Sequence, residues 1–152
     1  MKLARATKNK LFFRLSRPEM DLLLAVLRLY PRTPDAYQPL SKTSSPDESN
    51  QRLLDESLAE HRAGNRKQLE ALLTDPKKLS QTKAGWRLAV SPSDVEWLLQ
   101  ILNDIRVGSW ATLGSPEECA TPMNAATLPH LWAMNVAGAF QMELLEEMEG
   151  GV

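Results

Sequence analysis

The chain reads as an α+β protein, predominantly α, with four or five helices and a small two-stranded sheet. Three observations predict this. Leu11–Leu15 and Trp86–Val90 alternate apolar and mixed positions, as half-buried strands do. Each runs directly into a serine followed by a helix-patterned segment. The two strand–cap–helix units, Lys10–Tyr30 and Gly85–Gly108, align at a constant offset of 75 residues, so Leu11, Phe13 and Leu15 correspond to Trp86, Leu88 and Val90. A pseudo-symmetric pair, packed together, is the expected arrangement.

The first 17 residues carry Lys2, Arg5, Lys8, Lys10, Arg14 and Arg17 and no acid. Such a composition suits a transit peptide, but the alternation through Leu11–Leu15 favours a structural strand. Ser16 with Glu19 is a capping-box pattern that opens the first helix. Tyr30-Pro31 ends it, because a residue before proline avoids helical geometry. Residues 31–46 hold four prolines among Ser and Thr and read as a loop, with Tyr37 and Leu40 as anchors. From Asp47 to Asp75 a thin leucine stripe on a charged background predicts a surface helix, split at Gly64-Asn65. Residues 76–85 read as a polar, basic loop.

The second unit carries the clearest signals. Ser91 is a good N-cap, Pro92 fits the first helical position, and Asp94 and Glu96 suit the positive end of the dipole. Val95, Leu98, Leu99, Ile101, Leu102 and Ile105 form one apolar sector, and the helix runs to about Leu113. Residues 114–127, with Cys119, form a loop. The last helix spans about Leu128 to Glu149. Its first half, LPHLWAMNVAGAF, is apolar or small almost all round, which predicts a core helix.

Residues 1–152 fit one domain with a real core. Cys119 is the single cysteine, so an internal disulfide is excluded and a reducing, cytoplasmic setting is expected. No apolar run approaches the ~20 residues of a membrane span. Charge is polarised: residues 1–33 hold eight basic and two acidic residues, whereas residues 114–152 hold six acidic and no basic ones. Opposite ends of such a chain can attract, within one molecule or between copies.

No catalytic motif stands out. His61 and His130 are the only histidines, and neither has neighbours at metal-ligand spacing, so no metal or cofactor is expected. A thiol nucleophile would need Cys119 beside His130 in space. The basic arm of Lys2, Arg5, Lys8, Lys10, Arg14 and Arg17 suits phosphate contact, but no helix has the look of a recognition helix. The more informative polar set is Glu19, Asn103, Arg106, Asn135 and Glu143. Arg106 falls between Leu99 and Leu102 inside the apolar sector, so it must snorkel or find a carboxylate. Glu19 is the first candidate partner.

Leu11–Glu19, the turn Pro34-Asp35-Ala36-Tyr37, and above all Trp97-Leu98 with Leu102-Asn103-Asp104-Ile105-Arg106 resemble the bacterial domain-of-unknown-function family twenty-seventeen. The resemblance implies a small, mainly helical cytoplasmic bacterial protein. Some members are encoded near the Clp protease adaptor, which hints at proteolysis or regulation. The family supplies no functional residues, and the Cys119 loop departs from it. The expected function is a non-enzymatic protein-interaction or regulatory module, with self-association among the expected contacts. A nucleic-acid-binding regulator using the basic arm comes second, and an enzyme with an unrecognised site third.

Overall fold

The computed structural model describes residues 1–32, 48–116 and 121–150. In chain order these form β1 (Lys2–Ala6), β2 (Leu11–Leu15), α1 (Arg17–Leu27), α2 (Glu48–Thr74), β3 (Leu79–Gln81), β4 (Trp86–Val90), α3 (Pro92–Thr112) and α4 (Leu128–Gly150). The fold is α+β and mainly helical. Tyr37, Leu40 and Cys119 lie outside the described residues.

The sheet has four antiparallel strands in the order β1-β2-β4-β3, two more than expected. The missed strands are the edges, and their side chains explain why. In β1 only Leu3 is even partly covered, and β3 is three residues long with only Leu79 buried. An edge strand is held mainly by backbone pairing, which leaves little apolar alternation to read. The segment expected to be a loop over 76–85 therefore contains β3 and a tight Thr82–Gly85 turn, whose N–H of Thr82 donates to the Gly85 carbonyl at 2.7 Å.

The offset of 75 residues becomes a pseudo-twofold axis. In the central pair, Leu11 faces Val90, Phe13 faces Leu88 and Leu15 faces Trp86. Phe13 and Leu88 are therefore both sequence equivalents and register partners, so the axis passes between them. Each half of the chain has the order β-β-α-α. The two inner helices start alike: Ser16 Oγ accepts from Glu19 N at 3.2 Å, and Ser91 Oγ accepts from Asp94 N at 3.1 Å. The acids reciprocate, Glu19 Oε1 taking Ser16 N–H at 3.3 Å and Asp94 Oδ2 taking Ser91 N–H at 3.1 Å. Each such cap is worth about 1 kcal/mol.

One core joins the inner face of the sheet (Leu11, Phe13, Leu15, Leu88, Val90) to Met20, Leu23, Val26 and Leu27 of α1, Val95, Leu98, Ile101, Leu102 and Ile105 of α3, and Ala133, Ala137, Phe140 and Leu144 of α4. The helices cover one side of the sheet, and the other side faces solvent. The expected break at Gly64-Asn65 does not occur; α2 is continuous. Asn65 is instead a strut: its Nδ2 donates to the Tyr30 hydroxyl at 2.8 Å and its Oδ1 accepts from Trp97 Nε1 at 3.0 Å. Leu69 and Leu72 bury the C-terminal half of α2, while Leu53 and Leu54 stay exposed.

Candidate functional site

α3 and α4 pack against each other along their length and run antiparallel. Gln141 Nε2 reaches the Leu99 carbonyl at 3.3 Å, and Gly138 sits opposite Arg106. Ala133 and Ala137 are fully buried at this seam, so small side chains bring the helices close. The expectation that α4 is a core helix holds for that face only. Trp132, Met142 and Leu145 are exposed, as are Val107 and Trp110 of α3 beside them.

Between the two helices this exposed surface forms an open groove of about 780 Å³, walled by Val107, Trp110, Met134, Met142 and Leu145, with Gly138 at its floor. Arg106, Asn135 and Gln141 are its polar members. The walls have a regular spacing. On α4, Asn135, Gly138, Met142 and Leu145 recur at intervals of three and four; on α3, Arg106 and Trp110 stand four apart. That is the spacing of a seam that receives another helix. Methionine suits such a wall, because its flexible thioether adapts to an incoming surface.

The structure divides the five polar residues singled out in the sequence. Arg106 does not pair with Glu19. It is exposed, and its Nη2 donates to Asn103 Oδ1 at 3.0 Å. The long side chain carries its guanidinium out of the apolar sector to the groove rim, at little cost. Glu19 and Glu143 instead flank the N-terminal ammonium of Met1, which lies 3.1 Å from Glu143 Oε2. Asn135 borders both the main groove and a smaller cavity of about 230 Å³ that Glu19 and Glu143 line.

The basic arm is an edge strand and hairpin. Lys2 reaches Glu147 at 3.4 Å, and the Leu3 N–H donates to Glu147 Oε2 at 2.9 Å. That backbone bond is the main reason the Glu147 carboxyl titrates below its ordinary value, against an opposing contribution from desolvation. Arg5 and Arg14 project from the solvent face of the sheet, Lys8 and Lys10 sit at the hairpin, and Arg17 opens α1.

A second polar cluster has no signature in the sequence. Asp104 Oδ1 accepts the Arg32 N–H at 2.7 Å, and Arg32 Nη1 donates to His130 Nδ1 at 2.9 Å. Guanidinium can only donate, so the His130 ring presents its lone pair at Nδ1. Separations of 72 and 98 residues hide this arrangement from any local pattern. It ties the end of α1 to α3 and α4. His61 is exposed on α2. Among the described residues, no group of three or more His, Cys, Asp or Glu stands close enough to hold a metal ion. Also among them, no helix is long and apolar enough to cross a membrane. The chain matches no protein-family model, no curated protein and no solved structure.

Proposed function

We propose that the protein is a non-enzymatic interaction module that associates with a second copy of itself through the α3–α4 groove. The observation that carries this reading is a helix apolar nearly all round with one apolar face left uncovered. Met142 is 63% exposed, Leu145 50% and Trp110 39%, and they are neighbours on one surface. Clustered exposed apolar side chains of this kind mark contact surfaces.

Charge favours a second copy as the occupant. An antiparallel crossing of α4 on its counterpart, centred on Met142, carries Glu149 of each copy toward Asn135 and Arg106 of the other. The contact is self-complementary, as a twofold interface must be. Arg106 and Asn103 then supply a polar layer that fixes register.

Sedimentation equilibrium on three proteins tests this. The native chain should dimerise. Arg106→Glu should shift it toward monomer, and Arg106→Glu combined with Glu149→Arg should restore the dimer. A native chain that stays monomeric at high micromolar concentration refutes self-association. So does a dimer insensitive to both changes. Capture of a helical segment from another protein in the same groove would replace the second copy as occupant.

A further inference from the structure

We infer that the solvent face of the sheet is a binding surface for single-stranded nucleic acid, built around Phe12 and three arginines. It lies on the side of the sheet opposite the helices and goes beyond the groove reading.

The four strands contain Lys2, Arg5, Arg14 and Arg87 and no acidic residue. Alternation puts Arg5, Phe12, Arg14 and Arg87 on the outer face, where they line a shallow cleft of about 290 Å³ with Ala4 and Thr82. The Phe12 ring holds two guanidiniums, Arg87 at 4.6 Å and Arg5 at 5.6 Å from its centroid. Arg14 stands directly opposite Arg87 in the β2–β4 register. Like charges in directly opposed positions destabilise a sheet pair. Among the described residues, no ion pair reaches Arg5, Arg14 or Arg87 to offset this. A chain of net charge −1 and pI near 6.1 has carboxylates to spare, yet none is placed here. An unrelieved cluster of cations on an acidic protein is what an anionic ligand would complete.

The chemistry selects the ligand. Guanidinium forks bind phosphate oxygens in pairs. Held beside an aromatic ring, they also offer planar surfaces on which bases stack. Lys8 and Lys10 at the β1–β2 turn and Lys83 at the β3–β4 turn extend the positive potential beyond both ends of the cleft. A flat sheet face of this kind tracks one strand; reading a duplex groove calls for a projecting helix or ribbon.

Fluorescence anisotropy with a short labelled oligothymidylate, using the full chain, tests the inference. Binding should weaken steeply between about 50 and 200 mM salt. Arg14→Ala with Arg87→Ala should weaken it about tenfold or more and reduce the salt slope by about 1.4, or 0.7 for each lost phosphate contact. Phe12→Leu should cost about tenfold on the oligonucleotide and little on inorganic polyphosphate, because only bases stack. Thermal melting serves as the folding control, and the double arginine variant should melt no lower than the native chain. Equal competition by polyglutamate would overturn the proposal in favour of an acidic protein partner. No anisotropy change at low salt, or undiminished binding by the double variant, would overturn it outright.

Discussion

Leu145→Asp separates the groove's role in association from any role in folding. Full burial of a leucine is worth about 1.5–3 kcal/mol, and Leu145 is half exposed in the single chain, so finishing its burial contributes about 1 kcal/mol. A twofold contact counts each residue twice, giving about 2 kcal/mol. The aspartate adds a carboxylate on each side of an apolar seam, at about 1–3 kcal/mol apiece. The dimer should therefore lose about 4 kcal/mol or more, close to a thousandfold in Kd. The monomer should lose little, because the position already meets water. Sedimentation equilibrium across the micromolar range reads the first effect, and thermal melting in dilute solution the second. Leu53→Asp, at an exposed site on α2, is the control and should leave association unchanged. If Leu145→Asp leaves the association constant where it was while Leu53→Asp lowers it, the interface has been placed on the wrong helix.

Three further outcomes concern the fold. Gly85 has φ of +155°, and a Cβ there would drive into the Leu15 carbonyl oxygen, so Gly85→Ala should destabilise by at least about 1–3 kcal/mol in chemical denaturation. Ser109 is fully buried on α3, and among the described residues its hydroxyl has no hydrogen-bond partner; Ser109→Ala should be neutral or raise stability by up to about 1 kcal/mol. Glu147 has a folded-state pKa below its ordinary value, so its contribution is present above 4.5 and is lost as pH falls through the folded value. The melting temperatures of the native chain and Glu147→Gln should accordingly differ at neutral pH and converge in acid. The groups facing that carboxylate are the Leu3 N–H, Lys2 and the N-terminal ammonium.

The central strands, both inner helices and both serine caps were legible because each rests on a local pattern: alternation, a cap three residues from an acid, an apolar sector at helical spacing. What was not legible depended on distance or on backbone alone. β1 and β3 pair by main-chain bonds at the sheet edges, so their side chains carry little sign of it. Asn65 looked like a helix breaker beside Gly64, but Tyr30 and Trp97 take both ends of its amide. Arg106 fell inside an apolar sector by angle, and angle says nothing about the reach of its side chain. Asn103, three residues earlier on the same helix, was already its partner. The outer sheet face combines both limits. Phe12 and Arg14 could be assigned one face from β2 alone, but Arg87 joins them only through a register that spans about half of the chain.

The pseudo-twofold gives the groove an internal comparison. α2 and α4 occupy the same place in the order of the two halves, each following an inner helix. α2 carries nine charged residues along its length, as a helix with a wetted face should. In α4 no Asp, Glu, Lys or Arg appears from Leu128 to Met142, although only the face carrying Ala133, Val136, Ala137 and Phe140 packs on the core over that span. Core packing therefore accounts for only one side of α4. The apolar character of the other side needs a separate cause, and it coincides with the wall of the groove. Polar substitution there should be nearly free for folding if α4 were merely a core helix. A cost that appears only as protein concentration rises would locate that cause in the contact between copies.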